Sequence, residues 1–292
     1  MVSAARAPLR PKQQLERAQL GALGQMKCLA KAEQAVTSAA LVAFAFAGVL
    51  AVGADAATAL ADSQIAVFGG WNDSFDSDIT LKQPNGTNMT LHDVPWDGVS
   101  SEAPPYWGIR GTWWLANNPN WGLMFDYSHA KVVADKGAVV SVSGRRDGTA
   151  IAPTDKVGNT FQVMEFTDGL NEFFFGAQYR WPHERWTPYV GFGVGPSVSH
   201  VEVRGPGVGQ PYTFEYQLAG VDVEGLVGIE YRFGPHVSAF ADYKLSFAIN
   251  DTDLKGGGSL DTDIWTNHII FGLSYRFGAP PSAAYPPPPP RS

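Results

Sequence analysis

Residues 268–277, with the sequence HIIFGLSYRF, decide the fold because apolar and polar side chains alternate along them. One face comprises Ile269, Phe271, Leu273, Tyr275 and Phe277, and the other carries His268, Gly272, Ser274 and Arg276. A period of two residues is that of a β-strand, and about ten alternating residues suffice for a tilted strand to cross a membrane. The stretch therefore predicts a transmembrane β-strand with its apolar face toward lipid.

The same alternation recurs in seven further stretches, at residues 65–71, 107–115, 121–128, 173–181, 188–198, 219–233 and 237–247. Long loops are expected at residues 74–104, 132–165, 200–214 and 250–264, and short turns join the remaining strands. Short periplasmic turns that alternate with long extracellular loops are typical of outer-membrane barrels. The sequence therefore predicts an all-β fold, an eight-stranded antiparallel transmembrane β-barrel of outer-membrane type, over residues 62–278.

The polar face of these strands would line the barrel interior. An eight-stranded barrel is just wide enough for side chains to fill it, so charges inside must pair. The expected interior set is Arg110, Asp126, Glu172, Arg180, Asp222, Glu224, Glu230, Arg232, Asp242, Lys244, His268 and Arg276. A soluble barrel is the alternative, and it would bury the apolar face and expose these charges instead.

The two ends of the chain differ from this pattern. Residues 35–54 form an uncharged apolar run that Lys27 and Lys31 precede and Ala59-Leu60-Ala61 follows, as in a secretory signal peptide. Residues 1–61 are therefore expected to form the leader, with translation beginning at Met26, although 20 apolar residues could also remain as a membrane anchor. Residues 279–292 end in five prolines and predict a periplasmic tail, either disordered or an extended spacer.

Composition excludes several classes of protein. The 292 residues carry a formal net charge of −7, which is unlike the basic surface of a nucleic-acid binder. The single cysteine, Cys28, cannot form an internal disulfide and lies within the predicted leader. The compartment that fits a leader and a barrel is the outer membrane of a Gram-negative bacterium, where a monomer is expected.

Carboxylates and imidazoles collect at the predicted outer ends of neighbouring strands. Asp126 and His129 end one strand, Asp168 and Glu172 begin the next, and His200 is followed closely by Glu202. We expect Asp168, His129, Glu172 and Asp126 to be the catalytic candidates, and His129, Asp168 and His200 to be candidate ligands of a divalent metal ion. The competing interpretation is a solvated rim without chemistry, because such groups are common at the mouths of outer-membrane barrels.

Five segments of the chain resemble those of a known protein family: PPYWGIRGTWW (104–114), FDYSHAKVVAD (125–135), EFTDGLN (165–171), WTPYVGFGVG (186–195) and TDIWTN (262–267). Over residues 65–277 the chain resembles small outer-membrane β-barrel proteins, and these segments resemble the rhizobial lipid A oxidase family. The terminal Tyr275-Arg276-Phe277 is similar to the signal that the outer-membrane assembly machinery reads.

The resemblance implies an enzyme that uses dioxygen to oxidise the proximal glucosamine of lipid A, a component of lipopolysaccharide, to an aminogluconate, with release of peroxide. The chain shows no nucleotide-binding motif, so electron transfer to dioxygen would need a bound transition metal or an unusually reactive substrate. The alternative is a non-catalytic barrel of the opacity or OmpA-like kind, with a structural or surface-binding role in the envelope.

The mature chain is predicted to begin near Asp62, because small residues at Ala59-Leu60-Ala61 follow the apolar run at the position that signal peptidase cleaves. N-terminal sequencing of protein purified from outer membranes checks this. A mature chain that still contained residues 35–54 would show that the segment is an anchor.

Overall fold

The computed structural model describes residues 60–207 and 209–277, which fold into antiparallel β-structure. Its twelve strands are β1 (Leu60–Lys82), β2 (Asn88–Asp97), β3 (Trp107–Leu115), β4 (Asn118–Ala134), β5 (Val139–Arg146), β6 (Thr149–Ala150), β7 (Thr154–Lys156), β8 (Val163–Arg180), β9 (Trp186–Arg204), β10 (Tyr212–Arg232), β11 (Val237–Asp253) and β12 (Ser259–Arg276). The part of the chain described here contains no helix long and apolar enough to cross a membrane. The predicted leader and tail lie outside these residues, apart from Leu60 and Ala61.

Eight strands pair in a cycle, which we call the ring. β1 pairs with β3, β3 with β4, β4 with β8, β8 with β9, β9 with β10, β10 with β11 and β11 with β12. The last strand then pairs with the first, as Ile65 opposite Tyr275 and Trp71 opposite Ile269 show. The decisive stretch 268–277 therefore lies in the strand that joins the two ends of the sheet.

The strand count differs from the eight predicted. Residues 74–104 and 132–165 were expected to be loops, but they contain β2, β5, β6 and β7. These strands form because the same period-two pattern continues there over shorter stretches, with Met89 and Leu91 buried on β2 and Val140 and Val142 buried on β5. Beyond the ring, β2 pairs with β1 and β5 pairs with β2.

The two faces of the ring strands are those that the alternation predicted. On β12, Phe271 is 53% exposed and Leu273 is 56% exposed, whereas His268 is fully buried. The soluble-barrel alternative is therefore wrong, since it requires the opposite arrangement. Exposed tryptophans lie toward both ends of this outward apolar band: Trp113, Trp121, Trp181 and Trp186 near the short turns, and Trp71, Trp107 and Trp265 nearer the long connections. Such belts suit the two interfaces of a membrane.

Side chains fill the middle of the ring. At the end with the long connections, apolar strand residues and Phe161, just before β8, form a core that also includes Leu81, Met89, Val203 and Leu260. A pocket of about 260 Å³ lies beside this core, lined by Leu81, Met89 and Phe161 among others. Near the short turns, a cavity of about 20 Å³ lined by Arg110, Arg180 and Arg276 has room for about one water molecule. A large molecule therefore meets the outer surface of the ring or the pocket at its long-connection end, and the middle of the ring has no room for it.

Replacing Phe271 with arginine should destabilise the folded protein by about 2 to 4 kcal/mol, the cost of a cation near the middle of a bilayer. Urea titration of the protein refolded into lipid vesicles measures this free energy. The matched control is Val139→Arg, because Val139 is 70% exposed on a strand outside the ring, and its effect should stay within about 0.5 kcal/mol. Equal effects of the two substitutions would show that Phe271 does not face lipid.

Candidate functional site

The ammonium group of Lys244 is the centre of a charge network inside the ring. Its Nζ lies 3.4 Å from Asp126 Oδ1, 3.4 Å from Glu172 Oε2 and 3.6 Å from Glu224 Oε2. All four side chains are fully buried. A buried charge is costly unless it is paired, so the lysine and its three carboxylates depend on one another.

Two arginines continue the network along the interior. The guanidinium of Arg110 donates to Asp126 and to Asp242, each at 2.7 Å. Nearer the short turns, Nε of Arg276 lies 3.2 Å from Asp62 Oδ2. The interior polar groups predicted from the alternation are thus buried, and most of them are paired; Asp222 is buried without an ion-pair partner among the described residues.

This network contains two of the four catalytic candidates, Asp126 and Glu172. The other two, His129 and Asp168, lie outside this network. His129 is three positions from Asp126 on β4, and an odd spacing along a strand places the two side chains on opposite faces. The structure therefore does not gather the predicted catalytic set into one site. It separates an interior pair from an outward-facing group.

The outward-facing group continues the lipid-facing side of β4, β8 and β9 just beyond the apolar band. We call it the outer patch, and it comprises His129, Asp168, Asn171, His200 and Glu202. The Asp168 carboxylate is exposed, whereas the other four residues are buried. The amide oxygen of Asn171 accepts a hydrogen bond from the Tyr127 hydroxyl at 2.8 Å and lies 3.3 Å from His129 Nδ1. The polar groups of the patch thus follow directly after the outward-facing aromatic side chains of Tyr127 and Phe173.

A two-residue bulge in β8 brings Asp168 into the patch. The β8 to β9 register shifts between Glu165 and Leu170, and Gly169 within the shift has a φ of +124°. A Cβ at residue 169 would lie only 2.7 Å from Nδ1 of His129, so this close approach requires glycine. The bulge therefore depends on a residue that the segment EFTDGLN supplies.

The carboxylate of Glu202 contacts four other residues of the outer strands. Its Oε1 accepts hydrogen bonds from the Thr167 hydroxyl at 2.9 Å and from the Asp168 N–H at 3.1 Å. The same oxygen lies 3.1 Å from His200 Nδ1, and the Tyr212 hydroxyl donates to Oε2 at 3.3 Å. These contacts hold the carboxylate in one orientation although it is on the outward face.

Three patch residues have the composition and spacing of a metal site. One ligand atom from each of Asp168, His200 and Glu202 lies within 4.8 Å of the others. Two carboxylates and an imidazole suit Mn²⁺, Fe²⁺ or Zn²⁺. Of the predicted metal set, Asp168 and His200 are brought together, Glu202 joins them, and His129 lies beside Asn171 instead.

Ionisable groups around Glu202 respond to its charge. Burial, together with the facing carboxylate of Glu202, raises the pKa of Glu165. Burial and the same carboxylate raise the pKa of Tyr212 to about 12. Both residues lie beyond the apolar band, and in both the negative charge of Glu202 adds to the larger effect of burial.

The aromatic side chains that pack against His200 were not among the residues predicted from the sequence. The His200 ring packs edge-on against Phe214 and Tyr216, with centroids 4.4 and 4.6 Å apart, and the Tyr216 hydroxyl donates to the Asp168 carbonyl oxygen at 3.1 Å. Residues 200–214 were expected to be a loop, but β9 continues to Arg204 and β10 begins at Tyr212. The alternation of Tyr212, Phe214 and Tyr216 was the available signal.

A closed cycle of antiparallel strands, with an apolar outer surface and paired charges inside, defines an outer-membrane β-barrel protein. A family model described as the outer membrane protein beta-barrel domain matches residues 43–277. The chain belongs to this family, and it resides in the outer membrane of a Gram-negative bacterium.

Solved structures with a similar fold include Neisserial surface protein A, at 12% identity and a TM-score of 0.36, with 74% of this chain and 97% of that chain covered. Ail, the attachment invasion locus protein of Yersinia pestis, shares 12% identity with a TM-score of 0.33, and coverage is 74% and 98%. The outer membrane protease OmpT of Escherichia coli shares 10% identity with a TM-score of 0.38, and coverage is 75% and 97%.

Replacing Lys244 with methionine should destabilise the protein by about 3 to 5 kcal/mol, because three buried carboxylates lose their shared cation. The matched control is Lys82→Met, which breaks an ion pair between Lys82 and Asp261 that is largely exposed and should cost less than about 1 kcal/mol. Equilibrium unfolding in detergent compares the two. A Lys244 variant as stable as the control would mean that the interior network contributes little.

Proposed function

We propose that this protein acts on lipid A in the outer leaflet as a dioxygen-dependent oxidase, with the outer patch as its active site. The observation that supports this most is the position of the patch. His129, Asn171 and His200 follow Tyr127, Phe173 and the apolar residues of β9 on the same outward face. A lipid headgroup beside the barrel would meet the exposed carboxylate of Asp168 without leaving the bilayer, and the buried side chains of the patch lie directly behind it.

The membrane-spanning part in this proposal is the eight-strand ring. The additional strands β2, β5, β6 and β7 and the outer portions of the ring strands then extend outside the outer leaflet. Because side chains fill the ring at the depth of the bilayer, a lipid whose acyl chains stay in the membrane can reach polar groups only along the outward face. This favours the outer patch over Asp126 and Glu172, which are enclosed inside the ring.

The reaction implied by the sequence resemblance is the oxidation of the sugar C1 carbon. The free lactol loses two electrons and two protons to dioxygen, which yields a lactone and hydrogen peroxide. Water then opens the lactone to the aminogluconate. Asp168 is exposed at the surface of the patch and could accept the proton of the C1 hydroxyl, while the imidazole of His129 is placed near it across β4 and β8.

The one-electron chemistry that dioxygen needs would be supplied by a transition metal, and the residues present fit one. Asp168, His200 and Glu202 would hold it, and Thr167 and Tyr212 would orient the Glu202 carboxylate through their hydroxyl groups. His200 would have to coordinate through Nδ1, the nitrogen that faces both carboxylates.

The competing function is a non-catalytic surface barrel. The extension outside the ring favours it, because β2 and β5 add a sheet with its own buried apolar residues and could present a surface to a partner. The two functions differ in one measurable product. Mass spectrometry of lipid A from cells with and without the protein shows oxidation of the proximal glucosamine only if the enzyme proposal is correct.

The variants Asp168→Ala, His200→Ala and His129→Ala should each reduce lipid A oxidation at least about 100-fold, the usual effect of losing a metal ligand or a general acid or base. Mass spectrometry of lipid A provides the readout, and heat-modifiable gel mobility reports that the barrel is folded. The control is Asp261→Ala, which removes an outward carboxylate of β12 away from the patch. Full oxidation by all three folded patch variants would remove this site.

A further inference from the structure

Three side chains, one on ring strand β1 and two on strands outside the ring, form a continuous hydrogen-bonded chain, which we call the Ser143 triad. Oδ2 of Asp78 lies 2.9 Å from Nδ1 of His92. On the other side of the imidazole, Nε2 of His92 lies 2.8 Å from Oγ of Ser143. The three residues belong to β1, β2 and β5, which are neighbours in the sheet.

The backbone holds the carboxylate end of the triad in place. The β1 to β2 register shifts between Ser77 and Ile79, so Asp78 lies at a bulge. Opposite it, Asp93 has a φ of +52°, and its N–H donates to Oδ1 of Asp78 at 3.0 Å. Asp78 thus has one carboxylate oxygen fixed by the backbone and the other directed at His92.

Strand geometry positions the other two members on the same face. Leu91 and Val142 are buried, so His92 and Ser143, their neighbours along the chain, point to the opposite, solvent side of the sheet. Thr90 pairs directly with Ser143 across the two strands. His92 is therefore diagonal to Ser143, and the long imidazole spans the gap between the strands.

The order of atoms is that of a nucleophile, a general base and an orienting carboxylate. With Nδ1–H donating to Asp78, the neutral imidazole presents the lone pair of Nε2 to the Ser143 hydroxyl. This tautomer lets His92 remove the hydroxyl proton as the oxygen attacks a carbonyl carbon. The same arrangement occurs on unrelated folds, where geometry rather than sequence order identifies it.

Gly144, the residue after Ser143, is the position from which an oxyanion donor would come. Gly144 has a φ of +102°, and the N–H of the residue that follows the nucleophile is one oxyanion-hole donor in other serine hydrolases. Within the described residues, β7 pairs with Val139, Val140 and Ser141, and β6 pairs with Arg145 and Arg146. Neither β6 nor β7 therefore pairs with Gly144.

We propose that the Ser143 triad is a second catalytic site, one that hydrolyses carboxylic esters presented to the open surface of the sheet. Ser143 Oγ bonds to the acyl carbon, the alkoxy group leaves with the proton that His92 took from the hydroxyl, and an acyl-serine results. Water, deprotonated by His92, then attacks the acyl carbon, and the serine leaves with a proton. The site suits an ester at the end of a flexible or surface-bound molecule, because His92 and Asp78 remain 35% and 54% exposed.

This site is independent of the proposed oxidase. The triad uses β1, β2 and β5, whereas the outer patch uses β4, β8 and β9. Ester hydrolysis also needs neither dioxygen nor a metal ion. Ser143→Ala should therefore abolish esterase activity and leave lipid A oxidation at the wild-type level, and either proposal can fail without the other.

A fluorophosphonate probe and p-nitrophenyl acetate test the triad on the full chain folded in detergent. We expect the probe to label Ser143, which trypsin would release in the peptide Gly137–Arg145. Fragmentation of this peptide distinguishes Ser143 from Ser141. We further expect Ser143→Ala to lose labelling, and His92→Ala to lower the rate of ester hydrolysis at least about 100-fold.

Ser141→Ala is the matched control, because Ser141 lies two residues earlier on the same solvent face of β5. This variant should label and hydrolyse like the wild type, and heat-modifiable mobility verifies folding of every variant. The proposal is overturned if the folded wild type shows no labelling at residue 143, or if folded Ser143→Ala retains the wild-type hydrolysis rate. In either case the three side chains form only a surface hydrogen-bond chain.

Discussion

The pairing of β12 with β1 is the interaction on which the rest of the structure depends. Lipid offers no hydrogen-bond partners to the backbone, so a sheet can span it only if its first and last strands pair and leave no open edge. Ile65 opposite Tyr275 and Trp71 opposite Ile269 satisfy this condition. Outward side chains of the ring then lie against lipid, water or one another, and inward side chains are enclosed.

Closure also explains why charges occur in such different settings within the protein. Inside the ring, Lys244 and Arg110 neutralise the carboxylates around them, because an unpaired charge in the enclosed interior is costly. On the outward face, polar groups are tolerated only beyond the apolar band. The outer patch begins at this boundary, at His129 and Asn171, directly after Tyr127 and Phe173.

The strands beyond the ring give the protein a second kind of surface. β1 continues past the ring and pairs with β2, which in turn pairs with β5, and the buried faces of these strands cover the apolar core at the barrel mouth. Their solvent faces are free to carry polar side chains. Asp78, His92 and Ser143 occupy such positions, one on each strand.

The amino-acid sequence by itself determined which side of each ring strand is apolar. Alternation is a local property, so residues 268–277 and 219–233 could be assigned correctly without knowledge of their neighbours. It also identified Lys244, Arg110 and Asp126 as interior groups, since parity along one strand suffices for that. It could not count the strands, because β2 and β5 are short and the pairing between them joins segments that are distant in the chain.

Tertiary structure alone decided which polar residues meet. His129 and Asp126 are close in the chain but face opposite sides of β4, whereas the bulge at Gly169 brings Asp168 to His200 and Glu202 on the next strand. Ser143 meets His92 only because β5 pairs with β2 in one register, and a shift by one residue would turn Ser143 to the buried face. Register and bulges depend on contacts between distant segments, and for this reason the sites emerged only from the folded chain.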